Sequence, residues 1–212
     1  METLDHLFIP DSKVVQDVQE LIRDCESDLL FHHSSRVYHW GAFAAQRKNI
    51  KVDHELLYIA CMFHDLGLTQ QYCSCDHRFE VDGANAAADF MKSRNFSELD
   101  IDKVWTAIAL HTTPGIPEFM AAEIAMVTAG VEMDVLGMKF DQYSQQELDR
   151  VIQQHPREIG FKEKIIQAFY DGIKNKPDTT FGNVKADVIA DKQVEFRAIN
   201  FCSIIRNSKW SS

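Results

Sequence analysis

No apolar stretch in the 212-residue chain is longer than Leu56–Phe63, far short of the ~20 residues that a membrane-spanning helix needs. Proline and glycine are sparse, at five and nine residues, and gather in no linker or repeat. Basic residues are also few. Lys plus Arg number 22 against 32 for Asp plus Glu, a net charge of −10, and no cluster of them is available to neutralise phosphates. A nucleic-acid partner is therefore not expected. The five cysteines (Cys25, Cys61, Cys73, Cys75 and Cys202) are odd in number and scattered. That excludes a disulfide framework and fits a reducing cytoplasm. Residues 1–10, with Glu2, Asp5 and His6, lack a basic n-region and an apolar h-region, so no export signal is expected.

What remains is an ordinary globular composition, 45% hydrophobic and 25% charged, sufficient for one domain over residues 1–212. The periodicity is helical almost throughout. Asp11 or Ser12 caps a first helix through Val14, Val18, Leu21 and Ile22. A second runs from about His32 to Asn49, with Val37, Trp40, Phe43 and Ala44 on one side. Asp53 caps a third that is apolar nearly all round, so it should be central. Further helices are predicted over Glu80–Arg94, from Asp100 or Asp102 to near His111, and over Glu118–Leu136. Ser144-Gln145-Gln146-Glu147 is a capping box opening another. Gly160–Asn175 and about Lys192–Arg206 complete the set, with Lys176–Asn183 as a loop. No segment alternates with period two. The predicted fold class is all-α.

The residues that carry chemistry are His and Asp at the ends of apolar helices. His64-Asp65 terminates the apolar run Leu56–Phe63, His33 lies on the preceding helix, and Asp134 follows the run Ile124–Val131. His111 ends the stretch Val104–Leu110. Polar pairs at the end of a buried helix are costly unless something satisfies them. Imidazole with carboxylate is the ligand set of a catalytic divalent metal such as Zn, Fe, Mn or Ni.

The order His33, His64-Asp65, Asp134 resembles the H…HD…D signature of the HD-domain superfamily of metal-dependent hydrolases, an all-α bundle around one or two metals. The runs His33–Tyr38 and Leu56–Asp65 are similar to its first-ligand helix and its HD helix. Arg78–Ala84, Thr106–His111, Met133–Gly137 and Thr180–Asp187 are similar to the cyanamide hydratase branch. The resemblance implies a metal-binding core over about 30–140, with C-terminal helices over about 144–212 packed on it. It implies His33, His64, Asp65 and Asp134 as ligands of one divalent ion, with zinc favoured. Di-metal members place a second His where this chain has Phe79, which argues for a single ion.

The implied activity is addition of metal-activated water to a small nitrile-type compound, giving a urea or amide. Asp65, with His111 or Glu80 moving the proton, forms the catalytic set, and Arg36, Arg78, Phe79, Trp105 and Phe119 form the substrate pocket. The alternative is a phosphohydrolase in which Arg36 and Arg78 hold phosphate, although Leu66-Gly67-Leu68-Thr69 lacks the Lys that phosphohydrolase members often carry there. A third reading is a non-catalytic module with a structural ion. Cys73-x-Cys75-x-His77 has no partner pair for a closed zinc site and reads as a loop. His6, His32, His39, His54 and His155 read as solvated. The expected partner is a small-molecule substrate, with no membrane and a homodimer as the default state.

Overall fold

The computed structural model describes residues 9–180, 184–193 and 195–211. Among them are ten α-helices and no strand. Helix α1 (Lys13–Cys25) is capped by Ser12, α2 (Asp28–Arg47) by Ser27, and α3 (His54–Phe63) by Asp53. Each cap side chain accepts a first-turn N–H that the helix itself cannot satisfy. Every residue of α3 from Leu56 to Phe63 is buried, as a helix without a polar face requires. It forms the centre, touching α1, α2, α6, α4 (Phe79–Lys92) and α5 (Glu98–Leu110).

Helices α2 and α6 (Ala122–Val131) meet backbone to backbone. A Cβ on Gly130 would lie 2.2 Å from the Val37 carbonyl oxygen, and one on Gly41 would lie 2.7 Å from that of Met126. Beyond Val131, α6 widens into a π turn over Glu132–Leu136, ended by Gly137 at φ 67°. This turn carries Asp134. Trp210 Nε1 donates to the Met133 carbonyl at 2.9 Å, so the C-terminal segment supports it.

The C-terminal helices are α7 (Gln145–Gln154), α8 (Phe161–Ile173), α9 (Val184–Lys192) and α10 (Phe201–Arg206). Helix α7 opens with the predicted capping box of Ser144 and Glu147. Phe161 and Ile165 of α8 are buried with Leu30, Leu68, Phe79, Val135 and Ile205.

Several boundaries differ from the sequence reading. Pro117 starts a 3-10 turn over Pro117–Phe119, and Ala121 is extended, so α6 begins at Ala122 instead of Glu118. Ser97 and not Asp100 or Asp102 caps α5. Of the predicted helix Lys192–Arg206 only Phe201–Arg206 forms a helix of its own, started by Asn200 accepting from Ser203 N, while Lys192 is the last residue of α9. Pro177–Thr180, expected as loop, is a 3-10 turn. Residues 1–8, with the export-signal reading and His6, lie outside the described residues, as do Phe181–Asn183 and Val194.

Two histidines read as solvated are buried instead. His39 and His155 stack with ring centroids 5.2 Å apart, and His32 lies 5.8 Å from His155. Burial pushes His39 down to about 3 and His155 to about 4. Both therefore take up protons on unfolding. Their stabilising contribution is complete above about pH 6.5 and shrinks as the pH falls toward those values. At pH 5 the expected loss is up to about 2 kcal/mol for each, read as a lower urea midpoint than at pH 7.5. His155→Gln should flatten this dependence. The buried carboxylates Asp65 and Asp134, held low, act only nearer pH 4. Separately, Gly130→Ala should cost about 1–3 kcal/mol by forcing α6 off α2, measurable as a lowered thermal midpoint.

Candidate metal centre

Three side chains from two helix ends converge on one point. His33 lies on α2, and His64 and Asp65 follow the last turn of α3, all fully buried. His33 Nε2 is 3.2 Å from His64 Nε2 and 3.4 Å from Asp65 Oδ2, and His64 Nε2 is 3.3 Å from the same oxygen. Tetrahedral donors at the usual ~2.0–2.1 Å from an ion stand about 3.3 Å apart. The three edges match that spacing. These three residues form the one His/Cys/Asp/Glu group of metal-binding geometry found among the described residues.

The tautomers agree with such a role. His64 Nδ1–H donates to the Cys61 carbonyl at 2.7 Å, and His33 Nδ1–H donates to Asp134 Oδ2 at 2.7 Å. Each ring thus turns its Nε2 lone pair inward, the arrangement in which an outer acceptor fixes a ligating imidazole. Neither Asp65 oxygen accepts a hydrogen bond. Two lone pairs and a bare carboxylate facing one another repel unless a proton or a cation lies between them. Burial pushes His64 down, but the Asp65 charge outweighs it and holds the imidazole above its ordinary value. Burial likewise pushes Asp65 up, and the charge of the adjacent His64 outweighs it and holds the carboxyl well below its ordinary value. The donor set therefore fits a divalent cation.

His111 approaches from the other side. Its Nδ1–H donates to the Ile108 carbonyl at 2.6 Å, and its buried Nε2 has no partner and lies 3.6 Å from Asp65 Oδ1. The Phe79 ring stands 5.6 Å from the His111 ring. Glu80 is buried and accepts from Thr112 Oγ1 and, at 2.8 Å, from Arg78 Nη2. Burial pushes its carboxyl up, and these two donors bring it below its ordinary value.

Other expected residues are placed elsewhere. Arg36 is fully buried, binds Asp134 through Nε and Nη2, and gives Nη1 to the carbonyls of His155 and Pro156. Asp134 lies on the Nδ1 side of His33, apart from the converging trio. Trp105 turns its indole N–H to Asn85 Oδ1 at 2.9 Å. Phe119 is 83% exposed. Cys73, Cys75 and His77 form no metal group among the described residues.

The sequence reading missed three neighbours of the site. Arg157, in the polar stretch between α7 and α8, donates to Asp134 Oδ1 at 3.1 Å. Trp40, which reads as core, donates its indole N–H there at 2.9 Å. Glu26 is buried with Oε1 unpartnered, and burial, followed by the nearby Asp65 charge, pushes its carboxyl well up. A Glu just after a helix end gives no sequence signal of burial.

Zinc added to the purified chain should bind at about one ion per chain, more weakly as the pH falls, because protons compete for the same imidazole nitrogens. Asp65→Ala should abolish this binding while keeping the helical circular dichroism, and elemental analysis after desalting checks it.

The family model described as HD domain matches residues 30–158, more than half of the chain. No curated protein matches the chain. The span begins beside His33 and takes in His64, Asp65, His111 and Asp134. The chain belongs to the HD domain family, whose members are generally metal-dependent hydrolases.

Proposed function

We propose that the protein is a metal-dependent hydratase or hydrolase that adds water to a small, uncharged, nitrile-type substrate such as cyanamide. The observation that carries this reading is the trio His33, His64 and Asp65 with His111 Nε2 unpartnered beside it. Three protein donors leave a coordination position for water, as catalytic sites do and closed structural sites do not. A divalent ion held there, with zinc favoured and Fe, Mn or Ni also compatible with the donors, supplies Lewis acidity and lowers the pKa of water toward ~7.

The chain's own residues do the rest. His111 Nε2, with its lone pair free, accepts a proton from the attacking water. The water oxygen bonds to the nitrile carbon as one carbon–nitrogen π bond breaks, and His111 returns the proton to the substrate nitrogen, giving an imidic acid whose remaining hydroxyl proton moves to nitrogen to yield the amide-type product. Glu80 accepts from the hydroxyl of Thr112, the residue after His111, and places its carboxylate on that side of the site. Phe79 lies against the His111 ring and excludes water from that side.

The substrate charge follows from the cations. Arg36 is sealed behind Asp134 with every guanidinium nitrogen engaged, and Arg78 is paired with Glu80. Of the two expected phosphate holders, Arg36 is sealed in the interior and Arg78 is half-exposed in an ion pair with Glu80. This favours an uncharged substrate over a phosphomonoester, the second reading, which would need Arg78 to leave Glu80.

The test is urea production from cyanamide by the zinc-loaded chain. His111→Ala should keep its zinc and lose about 10²–10⁴ in kcat, the size of a general acid–base contribution. No urea from a fully loaded chain, together with phosphate release from nucleotides, would transfer the assignment to the phosphohydrolase reading.

A further inference from the structure

Two buried aspartates stand on either side of His33, and they are treated oppositely. Asp65 has no hydrogen-bond donor on either oxygen. Asp134 has five donors: His33 Nδ1 at 2.7 Å, Arg36 Nε at 2.8 Å and Nη2 at 3.0 Å, Trp40 Nε1 at 2.9 Å and Arg157 Nη1 at 3.1 Å. A carboxylate presents about four lone-pair sites, so none is left over. The geometry of imidazole adds a second restriction. Nδ1 and Nε2 point away from each other, so a carboxylate bonded to Nδ1 stands on the far side of the ring from an ion on Nε2.

Moving Asp134 to such an ion would strip the only described carboxylate from two buried guanidiniums. Uncompensated buried charge of that kind is strongly destabilising. The widened π turn that carries Asp134, with its Met133 carbonyl held by Trp210, keeps the carboxylate behind His33.

We propose that Asp134 is a positioning residue and not a metal ligand: it fixes the tautomer and plane of His33 from the Nδ1 side, and Arg36, Arg157 and Trp40 hold it there. This departs from the four-ligand set that the family resemblance implies for this chain. It rests on the reading that His33, His64 and Asp65 hold a divalent ion. It leaves the fourth position free next to His111. It also makes the loop between α7 and α8, through Arg157 and the carbonyls of His155 and Pro156, part of the machinery that aims a ligand on α2.

The test uses the full chain with 15N-labelled histidine, observed by long-range 1H–15N correlation with and without zinc. The expected result is His33 as the Nδ1–H tautomer in both states, with its Nδ1 proton far downfield and its Nε2 shift moving on zinc addition. Loss of the Nδ1–H signal on zinc addition would mean that Asp134 swings to the ion, and the inference fails. This wild-type measurement stands even if the variants fold poorly. In Asp134→Asn the Nδ1 proton should move upfield, and zinc should still bind at one per chain but about 10–100-fold more weakly. A folded Asp134→Asn that binds no zinc, as Asp65→Ala does, overturns the positioning role. Wild-type chain that binds no zinc, manganese or ferrous ion would instead overturn the metal reading underneath.

Discussion

Lone pairs that face one another inside a protein set the terms for everything around them. His33 Nε2, His64 Nε2 and Asp65 Oδ2 stand 3.2–3.4 Å apart in a fully buried place. That arrangement is stable only with positive charge at its centre. It persists because the opposite face of each ring is tied down: the Cys61 carbonyl holds His64, and Asp134 holds His33. The Ile108 carbonyl does the same for His111. All three histidines therefore turn Nε2 inward, and the protein spends its fold on keeping them that way.

Asp134 is the second constraint, and it reaches further through the chain. A carboxylate among two guanidiniums, an indole and an imidazole needs contributions from α2, from the π turn after α6 and from the segment joining α7 to α8. Close contact at Gly41 and Gly130 sets the spacing of the first two. Arg36 also grips the carbonyls at the end of α7. The C-terminal helices, which could have been an appendage, are thus tied to the geometry of His33. Buried His39 and His155 line the same junction in neutral form, which makes it sensitive to acid.

Much of this was legible in the residues. The uninterrupted apolar run of α3 could be satisfied only at the centre of the fold, and a His-Asp pair ending such a run had to be paired with something. The Ser144–Glu147 box announced α7 because its two hydrogen bonds are local. Misplaced features depended on longer range. Arg36 reads as a cation free for substrate, since its partner Asp134 is 98 positions away in the chain. His39 and His155 read as solvated because polar neighbours in sequence conceal their burial. The join between Glu118 and Ala122 and the start of α10 turned on single backbone and capping choices that competing helix propensity hides.

The sequence by itself determined the helical class, the central helix and the presence of His and Asp donors at the ends of apolar runs. These follow from composition, from periodicity and from donor chemistry, which are properties of near neighbours. Tertiary structure alone decided which nitrogen each histidine turns inward, which aspartate keeps its oxygens bare and which has them filled, and where the two arginines are spent. Those outcomes depend on donors and acceptors brought together from distant segments. A hydrogen bond acts only at contact distance, and contact between such segments exists only in the folded chain.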